Sequence, residues 1–298
     1  MMRKVPLIAA SLALSVVFVL GFVAGCGKKS KMIQNKGSDT MINLAQALAE
    51  EYRKVSPKVA IAVSGGGSGV GIAALENGTV DIANASREIK KGEAELVKKN
   101  SGKDTVEHKV AYDALAIYVH KKNPLQKITK AQLACIYGKE GTCTKWSDIG
   151  VEVPGCSGQE IVRASRQNNS GTYAYFREWV LGEDKDFKLG SRDMSGSKDV
   201  VDLVANTPCA IGYSGMGYKT DEVRWVCLSK ADDEQCVEPS VAAALNGTYK
   251  LSRPLYMYTA GEATGDVAAY LKWVQSDAGQ VIVERTGYAP LPPDQRSK

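Results

Sequence analysis

The chain has 298 residues, 44% hydrophobic, 7% aromatic and 24% charged; that length and balance suit a two-domain globular protein and exclude disorder, a coiled coil and a polytopic membrane protein. A net charge of +5, from 38 basic and 33 acidic side chains, is too mild to argue for nucleic acid. Two histidines, His108 and His120, leave little room for a His-rich metal site or a Ser-His-Asp triad.

At the N-terminus, Arg3 and Lys4 precede an uncharged apolar run over 5–24 that ends Val23-Ala24-Gly25-Cys26. This is the pattern of a signal peptide, 1–25, closed by a lipobox; a single membrane-spanning anchor is the other reading that the run's length permits. The Ala-Gly pair before a cysteine resembles bacterial lipoproteins, which implies that Cys26 is lipidated and becomes the mature N-terminus. Loss of Arg3 and Lys4 leaves 36 basic against 33 acidic side chains, a near-neutral chain held outside the cytoplasm by a membrane lipid. Residues 26–36, polar and lysine-rich, read as a solvated tether, with lobe 1 bounded at about residue 32 and folding expected to begin near Gly37.

The elements then follow in order. Residues 41–55 carry Leu44, Ala45, Leu48 and Tyr52 at the helical period and stop before Pro57. Residues 59–63 read as a buried strand, and Ser64-Gly65-Gly66-Gly67-Ser68-Gly69 as a turn opening a helix over 70–76. A strand over 80–83 follows, and then a long β-rich crossing segment over 110–119. Helices are expected over 129–136 and 172–181, with extended segments over 160–164, 209–213 and 223–228. A second crossing runs through 254–258, and a helical pair fills 265–286. Strands alternating with helices mean α/β layers. The two crossings divide the chain into lobe 1, 32–113 plus 255–298, and lobe 2, 114–254, with a ligand cleft between them.

Six cysteines remain after Cys26: Cys135, Cys143, Cys156, Cys209, Cys227 and Cys236, an even number in a compartment where disulfides persist. Short loops favour Cys135 with Cys143 and Cys227 with Cys236, which leaves Cys156 for Cys209. The CxxC-type spacing of a metal–thiolate site is missing, so no metal is expected.

The chemistry-bearing pattern is a repeated one. Gly37-Ser38-Asp39-Thr40, Gly67-Ser68-Gly69 and Ser170-Gly171-Thr172 each set a hydroxyl beside glycine just before a helix, where free backbone N–H groups and a partial positive charge attract anions. Each hydroxyl could instead cap its own helix. Arg166, four residues before Ser170, could grip an oxyanion bidentately, and Arg87, after a strand end at Asn84-Ala85-Ser86, is a second candidate cation.

In these segments, and in their order, the sequence resembles the phosphate-binding proteins of bacterial ABC transporters, within the periplasmic binding protein superfamily. The resemblance runs from Gly37 to about Pro290. It is carried most specifically by Arg166-Gln167-Asn168-Asn169-Ser170-Gly171-Thr172, then by the Ser64–Gly69 turn and the strand end Asp81-Ile82-Ala83-Asn84-Ala85-Ser86. It implies a two-lobed, type II-like fold of mixed sheets with flanking helices and a two-segment hinge. It further implies a monomer, without cofactor or catalysis, that takes inorganic phosphate at high affinity and delivers it to ABC permease subunits. Thr40, Ser68, Arg166, Ser170, Gly171 and Thr172 would contact phosphate, with Ser38 and Ser86 beside them. One position departs: where the family has an aspartate after the Ala-Ser pair to accept the proton of phosphate, this chain has Arg87. Asp39 could supply that acceptor, with Arg87 binding phosphate or pairing with Asp39.

Other readings find less support. Gly69-Val70-Gly71-Ile72-Ala73-Ala74 fits a dinucleotide fingerprint formally but lacks the acidic partner on a second strand. No GxxxxGK[ST] loop or Gly-x-Ser-x-Gly elbow occurs. A different tetrahedral oxyanion, a phosphate-ester hydrolase, and an extracytoplasmic sensor or adhesin on the same fold remain the alternatives.

Overall fold

The computed structural model describes residues 32–229, 231 and 235–297. The expected signal peptide, the lipidated Cys26 and the tether up to residue 31 lie outside the described residues. The elements in chain order are β1 (Ile33–Gly37), α1 (Ile42–Val55), β2 (Ile61–Ser64), α2 (Ser68–Glu76), β3 (Ile82–Ala85), α3 (Lys91–Ser101), β4 (Thr105–His120), β5 (Lys127–Thr129), α4 (Lys130–Tyr137), β6 (Val162–Arg166), α5 (Gly171–Leu181), β7 (Arg192–Met194), α6 (Ser197–Ala205), β8 (Ala210–Gly215), β9 (Val223–Trp225), β10 (Cys227–Ser229), α7 (Val241–Leu245), β11 (Ser252–Ala260), α8 (Gly265–Gln275) and α9 (Asp277–Arg285).

Most of these follow from side-chain period. Leu44, Ala45, Leu48 and Tyr52 form the buried stripe of α1, and Thr129 closes the start of α4 with a capping box, its Oγ1 accepting from the Gln132 N–H at 3.1 Å. Several segments depart from expectation. The end of the expected tether is strand β1, which pairs in parallel with both β2 and β3. Its sequence, IQNKG, hides this because a central strand is held by backbone hydrogen bonds, and even its buried inward residue Asn35 is polar. Helix α3 gives no apolar period because Val97 is its one buried residue. The single strand expected over 223–228 is also two: Val226 turns its N–H to the Ile117 carbonyl at 2.9 Å, and the chain passes from β4's edge to β5.

Among the described residues, nine strands form one curled sheet in the order β2-β1-β3-β11-β4-β8-β6-β7, with β9 also on β4. β4 runs antiparallel to β11 over Thr105–Ala114 and then continues against β8 over Leu115–Val119. The core divides at the same place. One cluster gathers buried residues from Ala114 to Leu251, with Ala289; the other two draw on 33–111 and 255–288. We refer to these as the second and the first half.

The second half contains an aromatic group, Phe176 stacked on Tyr213 at 3.8 Å with Tyr137 edge-on to both. It also contains all three disulfides, Cys135–Cys143, Cys156–Cys209 and Cys227–Cys236, the expected pairing. Trp146, fully buried, donates its indole N–H to the Cys209 carbonyl at 3.0 Å.

Candidate functional site

The parallel strands β1, β2 and β3 end on one side of the sheet, and β6 and β7 end facing them; crevices beyond strand carboxyl ends are where α/β sheets place ligands. Ser38 follows β1 and Ser86 follows β3, while Ser68 is the first residue of α2. All three hydroxyls are buried and share one cluster: Ser38 Oγ donates to Ser86 Oγ at 2.9 Å, Ser68 Oγ lies 3.3 Å from Ser86 Oγ, and the Ser86 N–H donates to Ser68 Oγ at 3.0 Å.

Across the cleft stands the start of α5. A Cβ on Gly171 would come within 2.4 Å of Ser68 Oγ and 2.8 Å of Ser86 Oγ, so only glycine permits this approach. Beside it, Thr172 Oγ1 lies 2.7 Å from Thr40 Oγ1, which is 3.3 Å from Ser197 Oγ. The capping alternative is resolved residue by residue. Ser170 does cap α5, its Oγ accepting from the Thr172 and Tyr173 N–H groups at 3.1 and 3.4 Å. Neither Ser38 nor Gly67, at the starts of the other two, makes a side-chain cap, which leaves the hydroxyls of Ser38, Thr40 and Ser68 to the cleft.

Arg166, at the end of β6 and 1% exposed, is held from several sides. Its Nε donates to the Met194 carbonyl at 3.3 Å and its Nη1 to Ser197 Oγ at 3.0 Å. Its Nη2 donates to the Ser195 carbonyl at 2.7 Å and to Asp39 Oδ2 at 3.0 Å. Of the five N–H hydrogens of a guanidinium, one on Nη1 is left. The bidentate grip expected from sequence is therefore not available, because the fork is used to fix the side chain. Burial pulls the guanidinium below its ordinary pKa, and Asp39 counters that.

Asp39 itself accepts the Gly66 N–H at 2.8 Å through Oδ1. Arg87 does not reach it. The Arg87 guanidinium is clamped on Glu93, at the start of α3, through Nη1 at 2.8 Å and Nη2 at 2.7 Å; of its two expected roles, binding phosphate or pairing with Asp39, this corrects the pairing.

Three residues were missed. Ser197 opens α6 after Gly196, a fourth glycine–hydroxyl helix start whose pattern was in the sequence. Asp113 and Arg253 form a buried ion pair at 3.0 Å, and Arg253 Nη2 donates to Thr172 Oγ1 at 2.8 Å. Asp113 is the single charged residue within the apolar run 110–119, the signal that could have found it. Burial pushes its carboxyl above the ordinary value, and Arg253 pulls it back.

The halves touch directly along the cleft. Gly69 N–H donates to the Asn169 carbonyl and Asn169 Nδ2 to the Gly66 carbonyl, both at 3.0 Å. Tyr218 Oη lies 2.7 and 3.1 Å from the carbonyl oxygens of Asp39 and Thr40; within the first half, Tyr288 also donates to the Thr40 carbonyl. His108, 3.1 Å from Thr259 Oγ1, and His120, accepting the Lys122 N–H, are engaged outside this site. Among the described residues no group of His, Cys, Asp and Glu could hold a metal ion.

A curled α/β sheet in two core halves, with hydroxyls and a fixed arginine converging between them, defines a solute-binding protein, and the profile of the PBP superfamily domain matches residues 24–278: the chain belongs to that superfamily. Among its relatives, the phosphate-binding protein PstS of Pseudomonas aeruginosa is 37% identical over 270 residues, covering 87% of this chain and 83% of its own. A Clostridium perfringens substrate-binding protein with bound phosphate superposes with a TM-score of 0.77 at 28% identity, covering 88% of this chain and 100% of that one. An ABC-type phosphate transport receptor from Vibrio cholerae does so at 0.68 and 26%, covering 87% and 100%.

Proposed function

We propose that this protein captures inorganic phosphate in the cleft, without turnover, and presents it to the permease of an ABC transporter. The observation that carries the reading is the convergence of six buried hydroxyls, Ser38, Thr40, Ser68, Ser86, Thr172 and Ser197, with the remaining N–H of Arg166. Such groups donate to an acceptor-rich anion. The relatives named for phosphate support it. Ser38, Thr40, Ser68, Ser86, Arg166, Ser170, Gly171 and Thr172 would line the anion. The lobes would be 32–113 plus 255–298 and 114–254, closing about β4 and β11, with the protein exported, held at the membrane by a lipid on Cys26, and monomeric. Among the described residues no helix is long and apolar enough to cross a membrane.

Titration calorimetry with phosphate tests this: saturable one-site binding is expected, and absence of binding sinks it. Turnover of a phosphomonoester would favour the hydrolase reading instead.

A second reading, a wider choice of tetrahedral oxyanion, follows from the resemblance: after Ala85-Ser86, where it implies a proton-accepting aspartate, this chain has Arg87. Asp39 is joined to Ser197 through Arg166, and its lone pairs not used by Gly66 and Arg166 could accept the proton that distinguishes phosphate from sulfate. Asp39→Asn is then expected to raise competition by sulfate more than it weakens phosphate. Unchanged competition removes Asp39 from selectivity.

A further inference from the structure

Asp113 and Arg253 are register partners on β4 and β11, where the core passes from one half to the other. Their exposures are 0% and 2%. Burying an ion pair costs desolvation that its mutual attraction seldom exceeds, so the pair's place at this seam calls for a use. Its surroundings supply one. Arg253 Nη2 meets Asp113 Oδ2 at 3.0 Å and donates to Thr172 Oγ1 at 2.8 Å, and it lies 3.5 Å from Thr40 Oγ1. The guanidinium sits over the Tyr175 ring at 5.3 Å, and its Nε and Nη1 have no hydrogen-bond partner in the protein.

We propose that Arg253, held by Asp113, is a positioning residue that orders the Thr172–Thr40–Ser197 hydroxyls so that Thr40 is left as a donor to the anion; this rests on the phosphate reading above. A guanidinium only donates. Having accepted from Arg253, Thr172 Oγ1 must turn its own hydrogen elsewhere, and Thr40 Oγ1 stands 2.7 Å away. Arg166 Nη1 acts in the same way on Ser197 Oγ at 3.0 Å, which stands 3.3 Å from Thr40 Oγ1. Two donor chains, one from the seam strand β11 and one from β6, thus converge on Thr40. With its oxygen taken as acceptor from both sides, Thr40 can offer only its hydrogen, and an oxyanion is the partner that accepts it. Asp113 balances the charge of Arg253, and Nη2 is the nitrogen that directs Thr172. Thr40 belongs to the first half and Thr172 to the second, so the alignment is complete only when both halves meet at Arg253.

The test is phosphate calorimetry and thermal unfolding on wild type, Arg253→Gln, and the double variant Asp113→Asn/Arg253→Gln. Glutamine can accept as well as donate, so Arg253→Gln is expected to weaken phosphate more than tenfold. It also leaves Asp113 unpaired and lowers the unfolding temperature. The double variant removes both charges at similar shape; it is expected to recover unfolding temperature while binding stays more than tenfold weak. Binding within twofold of wild type in either variant, or binding that returns together with the unfolding temperature, overturns the role of Arg253. A wild-type protein that does not bind phosphate overturns the reading beneath it as well.

Discussion

The two halves bring different things to one cleft. The first half holds no cysteine among its described residues and offers hydroxyls on short turns, Ser38, Thr40, Ser68 and Ser86. The second half holds all three disulfides, and it offers Arg166, Ser197 and the start of α5. A serine at a strand end is placed by the backbone it grows from, with one side-chain torsion to set. An arginine carries far more rotamer freedom, and fixing it costs entropy that its surroundings must offset. Here Met194, Ser195 and Ser197 receive its N–H groups, and those residues lie on the β7–α6 connection within the stapled half. Placing charge, more than placing hydroxyls, is what calls for the braced frame.

The largest way to break that contrast is to remove the Cys156–Cys209 bridge by serine substitution. It spans 53 residues, and a loop of that size stabilises by roughly 4 kcal/mol in the chain-entropy account. Hydrogen exchange is expected to show lost protection over 114–251 first, with 33–111 changed less; equal loss in both halves would erase the distinction. Next comes Arg166→Ala, which takes the directed charge from the braced half. Phosphate affinity is expected to fall more than tenfold, at least about 1.4 kcal/mol, and Thr172→Ala by a similar factor; calorimetry with wild-type affinity in both would remove these residues from the site. The smallest sharpens the line of contact. Gly67 has φ +90°, and a Cβ there would stand 2.7 Å from the Asn169 carbonyl of the other half. Gly67→Ala is expected to weaken phosphate about tenfold, roughly 1.4 kcal/mol, through impaired closure, with a faster release rate in stopped-flow measurements. An unchanged rate would mean that this glycine serves the turn alone.

Much of the site was legible because it is local. A hydroxyl beside glycine before a helical period is read within a few residues, and so are disulfides whose loops are eight or nine residues long. The residues that escaped act at distance or against composition. β1 is polar because its strand order comes from backbone pairing. Arg253 reads in sequence as one cation before a proline, and only the antiparallel register of β4 with β11 brings it to Asp113, 140 residues away. Arg87 misled for the opposite reason: its position invited a role in the cleft, whereas Glu93, on a helix with hardly any apolar period, had already claimed it.

The passage of β4 from one neighbour to another has a mechanical consequence. Two strands are the narrowest ribbon that backbone bonds can hold, rigid along its length yet free to change its twist. If the halves move as the two lobes proposed above, suspension from such a ribbon would favour a swivel over sliding or stretching. Filled and empty forms would then differ by an angle rather than by scattered local shifts, and a membrane partner reading the outer faces of both halves could tell them apart without ever touching the anion.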